Sequence, residues 1–388
     1  MNKNILLGVT GGIAIYKVVD VVSRLKKLDY NIKIIMTDSA CEFVSPMTFE
    51  TIGKCDVKNK MFHKNSHKIV EHIDLANWAD LFLVAPASAN IMAKINHGIA
   101  DDLLTSTALA YTKPIMFCVS MNTNMLNNPS TQKNIEELKE KNHLIIDSNS
   151  GMLACDTKGD GRLKEPWEIV EEVENYFCKK DLKGKKVLIT AGATVERIDP
   201  VRYITNDSSG KMGYSIAKKA FMRGADVTII SGKTSVDSPY GIENIKVQSA
   251  IDMKEQIESC VDDYDCLIMA AAVSDFKVKN RKDLKIKKQD GIHSLELEEN
   301  PDILKSLNKK ENQIFIGFAA ETNNLIKNAE KKLNKKNLDY IVLNDVSKKD
   351  IGFNSEYNKV SIISKNQILE LDKDTKLNIA DKILDLIK

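Results

Sequence analysis

Short, nearly unbroken apolar runs recur through the first half of the chain, at Ile5–Val9, Ile32–Met36, Leu81–Ala85, Ile115–Val119 and Leu144–Ile146. Between them apolar positions return every three or four residues, as in Ile15–Leu28, Ile91–Asn96 and Thr131–Lys141. Strand-length apolar runs alternating with helical periodicity predict a doubly wound parallel sheet. The second half begins the pattern again. Its predicted strands are Val187–Thr190, Val227–Ser231, Leu267–Ala271, Ile314–Phe318 and Tyr340–Leu343, with helices over Tyr214–Arg223, Ala250–Val261 and Thr322–Lys336. A predicted helix, Glu168–Cys178, and a Lys-rich stretch ending at Gly184 lie between the halves. This predicts two α/β domains, 1–180 and 181–388, with no short-period repeat.

Both halves open in the same way. Ile5–Lys17 reads ILLGVTGGIAIYK and Val187–Arg202 reads VLITAGATVERIDPVR, each a strand running into a small-residue turn. Such a turn before a helix presents bare N–H groups, which suits phosphate. Two openings one domain length apart predict two nucleotide-type sites, and their differing residues point to a fusion of two activities.

Composition narrows the class. A chain of 388 residues exceeds one ordinary core. Its net charge of +2 makes no case for a polyanion-binding surface. Seven cysteines, an odd number with no C-x-x-C pair, argue against a disulfide framework or structural zinc and for the cytoplasm. The apolar run before Thr10 is shorter than a signal-peptide core, and no stretch is apolar enough to span a bilayer, so no membrane association is expected.

In the first half, Gly8-Val9-Thr10-Gly11-Gly12 lacks the glycine spacing of a dinucleotide fingerprint and reads equally as a tight strand–helix turn. Ala85–Asn90 (APASAN) follows a buried strand with small residues where backbone must approach a ligand. Cys155 lies in a glycine-flanked segment between Ser150 and Arg162, although a lone cysteine is more commonly a buried one. Together with His72–Leu75 (HIDL), His97–Leu104 (HGIADDLL) and Met121–Met125 (MNTNM), these motifs resemble the phosphopantothenoylcysteine decarboxylases. Those enzymes belong to the homo-oligomeric flavin-containing cysteine decarboxylases.

The resemblance implies a flavodoxin-like flavoprotein domain and FMN as cofactor. It implies cofactor contacts from Gly11, Gly12, Ser39, Ala87, Ser88 and Asn90, and substrate contacts from Asn122 and Met125. In the family the substrate thiol is oxidised to a thioaldehyde that acts as an electron sink for decarboxylation. The resemblance gives His72 a part in that oxidative decarboxylation, Asn122 the substrate carboxylate, and Cys155 the final proton donation. Three positions depart from the family pattern: Val119 replaces a proline, Leu126 a tryptophan, and Asp156 a glycine.

In the second half, Ser208-Ser209-Gly210 ahead of a helix reads as an anion cradle or a capped helix start. Phe276–Lys288 (FKVKNRKDLKIKK) carries seven basic residues against one Asp. On its own this reads as a solvated loop, and it lacks the aromatic interleaving of a nucleic-acid surface. Its place after a predicted strand end is where doubly wound folds gather ligands.

Thr190–Arg202, Thr205–Gly213, Ala270–Phe276, Lys285–Lys288, Asn300–Leu304, Gly317–Thr322 and Asn344–Val346 resemble phosphopantothenate–cysteine ligases of the bacterial, CTP-using type. That resemblance implies CTP contacts from Ala270, Ala271, Asp275, Lys285, Asn300, Pro301, Asp302, Ile303, Phe318, Lys332 and Lys336. It also implies handling of the acyl-cytidylate by Asn206, catalysis by Lys285 and substrate binding by Arg202. Mg²⁺ would be held mainly by the CTP phosphates. Asp207 stands where the family commonly has His.

The combined expectation is two Rossmann-like domains in a bifunctional enzyme of coenzyme A biosynthesis. Its small-molecule substrates are 4′-phosphopantothenate, cysteine and CTP, and it has no nucleic-acid partner. The families imply homo-oligomers, with trimeric flavin domains and dimeric ligase domains that together would give a dodecamer. Two other readings stand beside this one: a nicotinamide-dependent dehydrogenase with two Rossmann domains, and a non-catalytic binding module.

Overall fold

The computed structural model describes residues 3–61, 70–152, 158–287, 294–321, 325–345, 352 and 355–388. The chain forms two compact units, Met1–Tyr176 and Phe177–Lys388.

In the first unit the elements run β1 (Asn4–Val9), α1 (Ile15–Lys27), β2 (Asn31–Met36), α2 (Asp38–Cys41), α3 (Pro46–Gly53), β3 (Val57–Lys58), α4 (Glu71–Trp78) and β4 (Leu81–Ala87). They continue with α5 (Ala89–Asn96), α6 (Leu103–Ala110), β5 (Ile115–Val119), α7 (Thr123–Leu126), α8 (Pro129–Glu140), β6 (Leu144–Ile146), the hairpin β7 (Asn149–Met152) and β8 (Lys158–Arg162), and α9 (Pro166–Phe177). Strands β1 to β6 form one parallel sheet in the order β3-β2-β1-β4-β5-β6. Every residue of β4 is buried, as expected for a central strand covered on both faces. Helix α1 packs through Ile15, Val18, Val21, Val22 and Leu25, one stripe at helical spacing. Phe82 and Phe117 are fully buried at the centre of the core on one face of the sheet.

The second unit comprises β9 (Lys186–Ala191), β10 (Val195–Arg197), β11 (Tyr203–Thr205), α10 (Lys211–Met222), β12 (Asp226–Ser231), β13 (Glu243–Lys246), α11 (Ala250–Cys260), β14 (Cys266–Met269), β15 (Phe276–Val278) and β16 (Leu297–Glu299). Then come α12 (Ile303–Ser306), β17 (Ile314–Glu321), α13 (Leu325–Lys335), β18 (Tyr340–Asp345), β19 (Tyr357–Asn358), β20 (Val360–Ile363), β21 (Ile368–Glu370), β22 (Asp374–Thr375) and α14 (Lys376–Leu384). Its main sheet runs β13-β12-β9-β14-β17-β18-β20-β21. The first six strands are parallel, in the same order as the sheet of the first unit, and β20 and β21 add an antiparallel edge. Helices α10 and α14 pack on one face, and α11, α12 and α13 on the other.

The predicted strand Leu267–Ala271 ends earlier, at Met269. Ala271 N donates to Thr190 Oγ1 (3.1 Å) and Ala272 N to Gly192 O (2.8 Å), so the chain leaves the sheet for the loop above β9. The hairpins β7–β8, β10–β11 and β15–β16 were not among the predicted strands.

Candidate active sites

In each sheet the strand order reverses beside the first strand, between β1 and β4 and between β9 and β14. Loops at the carboxyl ends of these strands diverge and leave a crevice. In the first unit these loops carry most of the expected cofactor residues. Thr10 Oγ1 donates to Pro86 O (2.6 Å), joining the loop after β1 to the loop after β4. Gly11 is obligatory there, because a Cβ on it would lie 2.6 Å from the Cβ of Ser39 at the start of α2. Gly12 faces open space, with Pro86 Cγ the nearest atom at 3.9 Å from a built Cβ. Ala87 is buried at the end of β4, Ser88 Oγ caps α5 by accepting from Ile91 N (3.3 Å), and Asn90 is exposed in its first turn. Asn122 follows β5 and caps α7, its Oδ1 accepting from Asn124 N (2.8 Å), and Met125 is exposed on that helix. His72 is half-buried in the first turn of α4.

The hairpin β7–β8 is docked on the Asn122 segment. Met121 N donates to Gly161 O (3.0 Å), and Thr123 Oγ1 donates to Asp160 O (2.6 Å). The last described rung of the hairpin pairs Met152 with Lys158. Cys155 and Asp156 belong to the connection beyond it and lie outside the described residues. Val119 ends β5 as a buried residue in register with Ala87, and Leu126 packs against the core. The described cysteines are free thiols, and burial pushes each of them up, Cys55 to about 11.

In the second unit a cleft of about 840 Å³ opens over the carboxyl ends of the central strands. It gathers Asn206 and Asp207, the start of α10, the segment Ala270–Phe276, the loop leading into α12, the end of β17, and one side of α13. All the residues expected to contact CTP line it except Lys285. Asn206 Nδ2 donates to Ala272 O (3.2 Å). Asn300 donates from its backbone to Asp275 O (2.8 Å) and from Nδ2 to Ser274 O (2.9 Å), while its buried Oδ1 has no hydrogen-bond partner among the described residues. Asp302 caps α12 and pairs with Lys336 (3.1 Å) across the cleft wall.

Lys285 is exposed on the connection between β15 and β16, and it is not a lining residue. Its neighbour Ile286 is fixed at both backbone groups. Ile286 N donates to Asp199 Oδ2 (3.2 Å), and Ile286 O accepts from Arg202 Nη2 (2.6 Å). The half-exposed Arg202 therefore grips both Asp199 and the lysine-bearing loop.

Asn344 and Lys376 are among the lining residues that were assigned no role in the sequence. Asn344 is 8% exposed at the end of β18, and its Oδ1 has no hydrogen-bond partner among the described residues. Its position after an apolar run, where ligands gather, was the available signal. Lys376 starts α14, and no local pattern singles it out. Among the described residues no group of three or more His, Cys, Asp or Glu could hold a metal ion by itself. None of the described helices is long and apolar enough to cross a membrane.

Comparison with known proteins covers both halves. Residues 1–177 match the family model described as Flavoprotein, and residues 182–388 match the DNA/pantothenate metabolism flavoprotein C-terminal domain. The chain is 47% identical over 389 residues to the coenzyme A biosynthesis bifunctional protein CoaBC of Bacillus subtilis (strain 168), covering 99% of this chain and 96% of that one. It is 36% identical over 392 residues to the protein of the same description from Escherichia coli (strain K12), covering 99% and 96%. A crystal structure of the C-terminal domain of such a bifunctional protein is 42% identical, with a TM-score of 0.45 over 53% of this chain and 95% of that chain.

Proposed function

The chain belongs to the family of coenzyme A biosynthesis bifunctional proteins, and we propose that it makes 4′-phosphopantetheine in two successive steps. Residues 181–388 join 4′-phosphopantothenate to cysteine, and residues 1–180 decarboxylate the product. The ligation cleft carries this reading, since one cavity at a strand-order reversal is lined by most of the residues expected of a nucleotide site.

In ligation, the pantothenate carboxylate attacks the α-phosphorus of CTP, and pyrophosphate leaves. The cysteine amine then attacks the acyl carbon of the acyl-cytidylate, and CMP leaves. The chain supplies positioning and charge. Lys332 and Lys336 offer cations from α13, and Lys285, outside the cleft in this structure, would have to come in from its anchored loop when the nucleotide binds. Asn206 steadies the acyl-cytidylate, and Arg202 meets substrate while holding the Lys285 loop. Mg²⁺ would be held mainly by the triphosphate and would supply charge neutralisation there.

The first unit fits a phosphate-bearing flavin. Room above Gly12 and the capped start of α5 lie at the carboxyl ends of the central strands β1 and β4, beside the close Gly11–Ser39 contact. Gly11, Gly12, Ser39, Ala87, Ser88 and Asn90 would hold FMN. When bound, the flavin supplies reversible two-electron oxidation of the substrate, which gives the decarboxylation its electron sink. Asn122 Nδ2 donates to the substrate carboxylate, His72 acts in the oxidative decarboxylation, and Cys155 returns a proton. Ile13 and Tyr16, 60% and 62% exposed beside the glycine turn, support burial of this surface between subunits of a trimer.

The test is mass spectrometry of the full chain with 4′-phosphopantothenate, cysteine, Mg²⁺ and either CTP or ATP. Phosphopantetheine and CMP in the CTP reaction alone are expected. Accumulated phosphopantothenoylcysteine would mean a working ligase beside a disabled first unit. No amide with either nucleotide would remove the ligase reading.

A further inference from the structure

Helix α1 buries one charged residue. Lys17 is 6% exposed, set among Ile15, Val18, Val21, Val22 and Leu25 of the packed stripe. The backbone between it and the glycine turn is continuous: Ile15 N donates to Gly12 O (3.0 Å) and Lys17 N to Ala14 O (3.0 Å). Its Nζ donates to Glu165 Oε1 (2.8 Å) and to Leu163 O (3.3 Å). Both partners belong to the segment that leaves the hairpin β7–β8. The lysine therefore joins the helix after the glycine turn to chain 146 and 148 residues further on.

Two carboxylates organise the open end of that hairpin. The Glu165 oxygen that takes Lys17 also accepts from Arg162 Nη2 (2.8 Å), at the end of β8. The Arg162 side chain lies along β7, since a Cβ built on Gly151 would meet its Nη1 at 3.3 Å. Glu168 Oε2 accepts from Asn149 Nδ2 (2.7 Å), at the start of β7, and from Glu165 N (2.7 Å). Glu165 and Glu168 thus hold both strands, and Lys17 holds Glu165. The hairpin also rests on the substrate segment, where Met121 N donates to Gly161 O and Thr123 Oγ1 to Asp160 O. The short stretch 160–165 is pinned at one end beside Asn122 and at the other to α1.

An ion pair drawn out of water adds little net stability, because desolvation offsets the attraction. An apolar side chain of similar volume would extend the stripe of α1 without that cost. What the ammonium contributes is direction, since two acceptors at hydrogen-bond distance set where the hairpin leaves the core. On the reading of Asn122 as a substrate contact, we infer that Lys17 is a positioning residue for decarboxylation. It fixes the hairpin β7–β8, and through it the Asn122 segment, relative to the glycine turn.

The test compares wild type, Lys17→Met, Lys17→Arg, Glu165→Gln and Asn122→Ala as flavin-loaded full chains. Decarboxylation of phosphopantothenoylcysteine is measured as kcat and KM, and backbone hydrogen exchange is followed across Val119–Thr123. Lys17→Met should lower kcat about thirtyfold and change KM less than about threefold, because orientation is lost rather than uniform binding. Exchange at Met121, whose N–H is held by Gly161 O, should speed up about tenfold, while amides of β1 and β4 stay as slow as in wild type. Lys17→Arg should keep at least about a third of the wild-type kcat, since a guanidinium also offers donors to both acceptors. Glu165→Gln should reproduce Lys17→Met, and the double variant should be little worse than either. Glu165 lies partly in solvent, so this arm carries the test if Lys17→Met fails to retain flavin. A merely stabilising lysine would lower the melting temperature and leave kcat and Met121 exchange in place. Unchanged kcat in Lys17→Met overturns the positioning role, and so does a lowered kcat with Met121 exchange unaltered. If Asn122→Ala decarboxylates undiminished, the reading of Asn122 falls and the role of Lys17 falls with it. If Asn122→Ala is impaired and Lys17→Met is not, only the role of Lys17 falls.

Discussion

Gly161→Ala will cut decarboxylation of phosphopantothenoylcysteine about a hundredfold and change ligation by less than about twofold. Gly161 has φ +119°, and a Cβ on it would lie 2.0 Å from Met121 O. Its own carbonyl accepts from Met121 N, so the two backbones meet face to face beside Asn122. A methyl group there forces the hairpin and the Asn122 segment apart by more than an ångström. That shift separates the residue proposed to hold the substrate carboxylate from the connection that bears Cys155. Misplacement on this scale costs about two orders of magnitude when catalysis depends on positioning. Assaying the two half-reactions separately checks the result, since CMP release by the second unit reports an intact chain. Undiminished decarboxylation would remove the hairpin from the active site.

Asp199→Ala will slow pyrophosphate release by about a hundredfold and leave decarboxylation unaltered. The Asp199 carboxylate is fully buried and accepts from Val201 N (2.8 Å), Arg202 N (2.8 Å), Arg202 Nε (3.0 Å) and Ile286 N (3.2 Å). It thereby ties the turn after β10 to the loop that carries Lys285. Without it, Arg202 loses its anchor and Lys285 its bearing. Lys285→Ala should cost a similar factor, and the double variant little more, because both changes remove one function. The pH dependence has a definite sign. Burial raises the Asp199 carboxyl, but the backbone N–H groups and the Arg202 guanidinium outweigh it and hold the group well below the usual carboxylate range. The latch is therefore fully present above the ordinary carboxylate pKa of about 4. It is lost only as pH falls through the depressed folded value. An acid limb of ligation near pH 6 would belong to a different group.

Most of the parallel strands were legible to within a few residues, and β5 and β6 match their predicted bounds, whereas the edge strands β3 and β13 were missed. A strand covered on both faces must be apolar throughout, so its limits are written in its composition. The hairpins were not legible. Residues such as Asn149–Met152 (NSGM) and Leu297–Glu299 (LEE) are half or fully exposed and carry no apolar alternation. Their pairing is dictated by contacts such as Gly161 with Met121, which are distant in sequence. Among the site residues, those in small-residue loops at strand ends could be named beforehand. Asn344 closes an ordinary apolar strand, and Lys376 reads as a surface lysine beginning an amphipathic helix. Only the packing around them reveals their burial.

The ion pairs along the ligation cleft bear on selectivity. Lys336 already rests on Asp302, Lys211 rests on Glu356, and burial holds the Lys376 ammonium below the usual lysine range. The cleft is consequently a poor trap for arbitrary polyanions, despite the lysines along its walls. A newcomer has to take a cation from a carboxylate that holds it, and that exchange is favourable only where the ligand's charges arrive in matching positions. Local carboxylates thus act as gatekeepers, and inorganic phosphate or nucleic acid in a crowded cell would compete weakly for a surface that looks basic in sequence.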